Sequence, residues 1–186
     1  NDSHLGADGQ VLGDPMEGAL LVVAAKGGVD TGAREAAPRV AEVPFDSSLK
    51  LMATFHRAEP DQWGDLVRVH VKGAADVLLD RSLVDADTRA QVEAAMVEMA
   101  GRGLRVLMVA ERTIPASALE VGDPVDLLTD LDVVGLIGLL DPPRPEARDA
   151  IALCRKAGVT VKMITGDHVV TAAAIAADLG IHGEAV

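Results

Sequence analysis

Leu49-Lys50-Leu51-Met52-Ala53-Thr54-Phe55-His56-Arg57 is the stretch on which the fold class turns. Leu49, Leu51, Ala53 and Phe55 fall on one face and Lys50, Met52, Thr54 and His56 on the other, the period of a half-buried strand. Leu66 to Val71 alternates in the same way, with Val67, Val69 and Val71 together. The turn-rich Glu59-Pro60-Asp61-Gln62-Trp63-Gly64-Asp65 lies between the two runs, which predicts an antiparallel hairpin.

Working outward, Asp14 or Pro15 opens a helix that runs to about Lys26, where Gly27-Gly28 stops it. Lys72-Gly73 turns the chain into a short helix, Ala74 to Arg81. Asp87 is the expected cap of a longer helix in which Val92, Ala95, Met96 and Met99 recur at helical spacing, ended by Gly101. Leu104 to Ala110 reads as another strand. Val133 to Leu140 is a continuous apolar run, expected as a central strand. These elements predict an α+β layer, an antiparallel sheet with helices packed on it.

Asp141-Pro142-Pro143-Arg144-Pro145 changes the texture, because closely spaced prolines oppose both helix and ladder pairing. Beyond it the rhythm is helix (Glu146 to Ala157), strand (Thr160 to Ile164) and helix (Val169 to Leu179), part of a doubly wound α/β unit. The expected organisation is therefore a first domain over 1–140, a proline-rich hinge over 141–145 and a partial second domain over 146–186.

A chain of 186 residues with 49% hydrophobic and 25% charged content has globular composition. Its formal charge of -12 and lack of any basic run argue against a nucleic-acid partner. Cys154 is the single cysteine, so neither a disulfide framework nor a zinc constellation is expected, and no metal site is assigned. The longest apolar stretch, Val133 to Leu140, falls far short of the ~20 residues of a membrane helix, so the chain itself is not expected to insert. Asn1-Asp2-Ser3 matches a glycosylation sequon, with no other sign of secretion. A start without methionine and a last helix that leads onward predict a piece of a longer protein, truncated on its N-terminal side.

Several short motifs each allow two readings. Thr165-Gly166-Asp167 follows an apolar run and precedes a helix, where ligands gather in open α/β sheets; an ordinary strand-to-helix turn explains it too. Lys72-Gly73-Ala74 can present a cation to an anion beside a flexible glycine, or can be a solvated strand end. Phe45, after Pro44, can stack on a purine or pack in a core. Lys50 alternates away from the apolar face, and Glu17 can accept from an amino group or simply line a polar helix face. Arg105, among Leu104, Val106, Leu107 and Met108, must point outward or meet an anionic partner. There is no Walker motif and no nucleophile elbow.

In order along the chain, Gly13-Asp14-Pro15-Met16-Glu17-Gly18-Ala19-Leu20, Pro44-Phe45-Asp46-Ser47-Ser48-Leu49-Lys50-Leu51-Met52, Lys72-Gly73-Ala74, Gly103-Leu104-Arg105, Asp141-Pro142-Pro143-Arg144 and Thr165-Gly166-Asp167-His168 resemble the cytosolic signature series of P-type ATPases, most of all calcium-type and related cation pumps. The resemblance implies an N-domain-like α+β fold followed by part of a haloacid dehalogenase-like phosphorylation domain. It implies ATP as ligand, with Phe45 stacking on adenine, Glu17 at its edge, and Lys50, Lys72 and Gly73 lining the pocket. Arg105 would reach the phosphates, Asp141 would mark the hinge, and Thr165, Gly166 and Asp167 would face the transferred phosphoryl group. The parent it implies is an ATP-driven, magnesium-dependent cation translocase of the cell membrane. This chain would lie on the cytoplasmic side with actuator, phosphorylation and membrane domains as its partners.

The sequence departs from the family pattern in four places. Ala75-Asp76 stand where Pro-Glu often follows Lys-Gly-Ala, and Ser47-Ser48 stand where a basic residue often follows the Phe. The Asp-Lys-Thr-Gly-Thr loop and the later Gly-Asp-Gly motif are absent, and are expected upstream of Asn1 and beyond Val186. No catalytic residue is therefore assigned, and the chain alone is expected to bind nucleotide without becoming phosphorylated. A rival reading is a small haloacid dehalogenase-type phosphatase using Asp130 and Asp132; it places the nucleophile before the apolar run rather than after it. A purely nucleotide-binding module is a third.

Overall fold

The computed structural model describes residues 3–6, 10–29, 37–57, 65–141, 143–165 and 169–183. A two-stranded antiparallel pair, β1 (His4–Leu5) and β2 (Val11–Leu12), precedes helix α1 (Pro15–Lys26). The helix starts where it does because Asp14 accepts from the Glu17 N–H at 3.0 Å, and Pro15 has no N–H to leave unpaired.

Next come β3 (Arg39–Asp46), β4 (Leu51–Arg57) and β5 (Leu66–Ala74). Two helices follow, α2 (Ala75–Asp80) and α3 (Ala86–Gly101), then β6 (Arg105–Pro115) and a short α4 (Ala118–Val121). A 3-10 turn over Pro124–Leu127 leads into β7 (Asp132–Leu139), and α5 (Pro145–Lys156) and α6 (Val169–Asp178) complete the order. Five strands form one sheet in the order β3-β4-β5-β6-β7, with β6 and β7 antiparallel. The expected strands at Leu49–Arg57 and Leu66–Val71 are thus neighbours. Of the connecting stretch only Asp65 is described.

β5 lies in the middle of the sheet, and its alternation reports that place: Val67, Val69 and Val71 are buried while Arg68 and His70 are exposed. The central position expected for Val133–Leu140 is corrected, since β7 is an edge strand. Its apolarity serves a face instead. A Cβ at Gly138 would come within 2.7 Å of Leu104 Cδ1 and 2.8 Å of Met99 Cε, so the glycine admits side chains from α3 and the turn after it. The outer residue Val134 stays 61% exposed. β6 runs five residues past the expected end at Ala110, through a register shift between Val109 and Ala110 that keeps it paired with β7. The cap of α3 is Asp85 rather than Asp87: its carboxylate accepts from Thr88 N–H at 2.7 Å, and Asp87 sits in the first turn.

The chain divides into two compact units. In the first (1–44, 53–70, 112–127) Leu21, Val43, Ala53, Phe55, Val67, Val69 and Ile114 are buried, and α1 packs on β1 and β2. In the second (45–52, 71–111, 128–186) the core holds Leu51, Val71, Leu78, Leu79, Met108, Leu128 and Leu131. There α6 lies on α3, and the buried Thr171 hydroxyl donates to the Leu104 carbonyl at 3.2 Å. The helices expected after the proline run are present, with Pro145 in the first turn of α5. The strand expected over Thr160–Ile164 is not formed: no described strand lies beside it, and Ile164 is 96% exposed. A parallel strand without a neighbour has no ladder to join.

Candidate functional site

Phe45 is the next-to-last residue of β3 and is 68% exposed, whereas Phe55, the other phenylalanine, is fully buried. β3 carries it past Val43 into solvent, so no core contact competes with a ligand for the ring. The chain then turns sharply. Asp46 accepts from Ser48 N–H at 2.7 Å, from Leu49 N–H at 3.2 Å and from the Ser48 hydroxyl, and its carbonyl accepts from Lys50 N–H at 2.7 Å. The Ser48 hydroxyl bond, followed by the two backbone bonds, holds the Asp46 carboxyl below the usual aspartate range. The turn ends at Lys50 in the left-handed region (φ 53), uncommon for a residue with a Cβ. Lys50 therefore belongs to the turn, not to the strand expected from Leu49; it is exposed, as its alternation suggests.

Lys72 and Gly73 sit inside β5, one step earlier in the fold than the strand-to-helix turn expected for them. Their neighbour Ala74 donates its N–H to the Lys50 carbonyl at 2.9 Å, which ties the Phe45–Lys50 turn to the Lys72-Gly73-Ala74 stretch. A Cβ at Gly73 would lie 2.6 Å from the Lys50 oxygen and 2.7 Å from Leu51 Cβ. The close approach this glycine permits is thus that of the adjoining strand. Lys72 is half-buried. Asp46 was missed as a site-shaping residue, although Asp-Ser-Ser after an apolar strand is the composition of a side-chain-held turn.

Arg105 opens β6 opposite Leu139 and is exposed. Gly103 (φ 75) turns the chain from α3 into that strand, with Leu104 N–H donating to Met99 O at 3.2 Å. Phe45, Lys50, Lys72, Gly73 and Arg105 all belong to the second compact unit, whereas Glu17 lies half-buried in the first turn of α1, in the first unit. Asp141 is exposed after the end of β7, and Thr165 is exposed; Gly166 and Asp167 lie outside the described residues.

Asp132 is the first residue of the edge strand β7, and Asp130 precedes it in the left-handed region (φ 50). Both stand at the amino end of the apolar run, the wrong end for the phosphatase nucleophile. Among the described residues no group of three His, Cys, Asp or Glu side chains is arranged to hold a metal ion. No helix among the described residues is long and apolar enough to cross a membrane.

The family described as "P-type ATPase, cytoplasmic domain N" matches residues 1–146. The chain is 43% identical to a cation-transporting ATPase, pma1, of Synechocystis sp., over 99% of this chain and 21% of that protein. It is 42% identical to a calcium-transporting ATPase of Bacillus subtilis, over 92% of this chain and 20% of the other. Against calcium-transporting ATPase 1 of Lactococcus lactis it is 38% identical over 99% of its length. The chain spans about a fifth of the length of these relatives. With the antiparallel sheet and its helices, these matches place the chain in the P-type ATPase family, as a piece that contains the cytoplasmic domain N.

Proposed function

We propose that this chain is the adenine-nucleotide-binding part of an ATP-driven cation pump, with Phe45 as its stacking platform. The observation that carries the reading is the pairing of an exposed Phe45 with a turn that hydrogen-bonds, through Lys50 O and Ala74 N–H, to the strand bearing Lys72. An exposed aromatic ring on a stretch tied by a backbone bond to the strand that carries a lysine suits a base attached to an anionic tail. In this reading Arg105 reaches toward the phosphates. Residues 141–145 form the hinge to a phosphorylation segment over 146–186, where Asp141, Thr165, Gly166 and Asp167 face the transferred group.

The whole pump would couple ATP hydrolysis to cation movement across the cell membrane, with this part on the cytoplasmic side. Magnesium would be held mostly by residues outside the present sequence, beside the terminal phosphates. What the residues here contribute is positioning: they fix the adenosine end so that the phosphate end can be presented elsewhere. Without an Asp-Lys-Thr-Gly-Thr loop, the chain alone takes no phosphoryl group.

Calorimetric titration with AMP, ADP and ATP, with and without magnesium, tests this. Dissociation constants on the order of 0.1 to several mM, about 3–5.5 kcal/mol, are expected, with little difference among the three. Magnesium-ATP binding a hundredfold more tightly than AMP would mean a complete phosphate site in this chain and would overturn the reading. Acid-stable label on Asp130 or Asp132 after incubation with radiolabelled ATP would favour the phosphatase instead.

A further inference from the structure

Two of the five histidines, His56 on β4 and His70 on β5, come together on neighbouring strands with ring centroids 5.6 Å apart and planes tilted by 57°. Neither residue takes part in the nucleotide reading. The rings are tilted against each other rather than stacked in parallel. His56 is half-buried and His70 exposed, which leaves the pair open to solvent on one side. His56 Nδ1 lies 2.9 Å from the Ala37 carbonyl. A carbonyl only accepts, so this contact places the proton on Nδ1 and leaves Nε2 as the nitrogen with a lone pair. Metal-bound histidines are held in the same way, by a hydrogen bond from the ring nitrogen that does not coordinate.

We propose that His56 and His70 form a two-histidine site for a borderline divalent transition ion of the zinc, nickel or copper class. Metal–nitrogen bonds of about 2.0–2.1 Å, meeting at angles between square and tetrahedral, put ring centroids about 4.5–5.3 Å apart. The observed separation is within reach of that by side-chain rotation about χ1 and χ2. Imidazole nitrogens select these ions over calcium and magnesium, which demand oxygen ligands. Water completes the coordination, so the site is an exchangeable one on the sheet surface rather than a structural centre.

The test is titration of the 186-residue chain with zinc chloride, followed by calorimetry and by NMR of the histidine side chains. One ion per chain, with the His56 and His70 ring signals moving together, is the expected result. His70→Gln, at an exposed position, should weaken binding at least about tenfold, as should His56→Gln. A variant with His4, His168 and His182 replaced by Gln should keep the site. Calcium chloride at the same concentration should leave both rings unmoved. Zinc shifts confined to the other three histidines, or a loss of less than tenfold in His70→Gln, would overturn the proposal. If His56→Gln fails to fold, the exposed His70 variant decides alone.

Discussion

In the sheet, Leu51, Phe55 and Val69 are fully buried, whereas beyond β7 Leu153 is 71% and Ile164 96% exposed. Past residue 140 the buried side chains among the described residues are Thr171 and Ala172, on the face where α6 meets α3. Both stretches carry apolar residues at the spacing of strands and amphipathic helices. The difference is one of neighbours: β4 has β3 and β5 on its two sides, and residues 160–164 have no strand beside them among the described residues. Burial is contributed by partners, and an apolar pattern only states readiness for them.

Hydrogen exchange is the broadest way to break this comparison. Amides of β4, β5 and β6 should open only with the whole fold, while those over 145–183 open locally, at least about 100-fold faster. Equal protection would show that α6 on α3 is enough to make one cooperative body, and the hinge over 141–145 would lose its support. Truncation of single side chains sharpens the same contrast. Phe55→Ala should cost about 3–5 kcal/mol in urea unfolding, since a fully buried ring leaves a cavity. Leu153→Ala should stay within about 0.5 kcal/mol. A large loss at Leu153 would mean that a covering partner is present in solution.

Much of the sheet was legible in the sequence because period-2 alternation survives wherever one face is buried. Val67, Val69 and Val71 announced β5, and Asp14-Pro15 announced α1. β3 was not legible: Arg39, Val40, Glu42, Pro44 and Phe45 are all exposed, so the edge strand carries no clean alternation for a pattern to report. Continuous apolar composition misplaced β7 at the centre, because packing of Leu104 and Met99 over Gly138 demands the same residues as burial on two faces. At the proposed site, residue types suggest Phe45, Lys50 and Lys72 as candidates, but not how the stretches that carry them are joined. The bond from Ala74 N–H to Lys50 O depends on strand register, which short motifs do not encode.

Phe45 and Phe55 restate the comparison with one residue type. Phe45→Ala should leave unfolding stability within about 0.5 kcal/mol, because the ring is already in water. The same change should weaken adenine-nucleotide binding by about 1–3 kcal/mol, the value of base stacking, read by titration with AMP. A lowered melting temperature with unchanged affinity would make Phe45 a packing residue and would remove the centre of the proposed site.

The smallest expected effect concerns the turn that presents Phe45 and Lys50. Asp46 is held below the ordinary aspartate range by the Ser48 hydroxyl first, and then by the Ser48 and Leu49 backbone N–H groups. Asp85, at the start of α3, is lowered by the Thr88 backbone N–H and then by its hydroxyl. For both groups the folded pKa lies below the unfolded one, so the unfolded chain binds more protons in acid. Their stabilisation is fully present above the unfolded value, near pH 4, and is lost as pH falls through the lower folded value. Asp46→Asn keeps an oxygen that can accept the backbone N–H bonds but cannot titrate. Urea unfolding between pH 3 and 6 should therefore show a shallower fall in stability on the acid side for Asp46→Asn than for the unsubstituted chain. Asp85→Asn should flatten it further, because the two carboxylates share no partner and their effects should add. An identical acid slope in all three proteins would mean that neither carboxylate is held by these bonds in solution, and that the turn bearing Phe45 and Lys50 depends on backbone contacts alone.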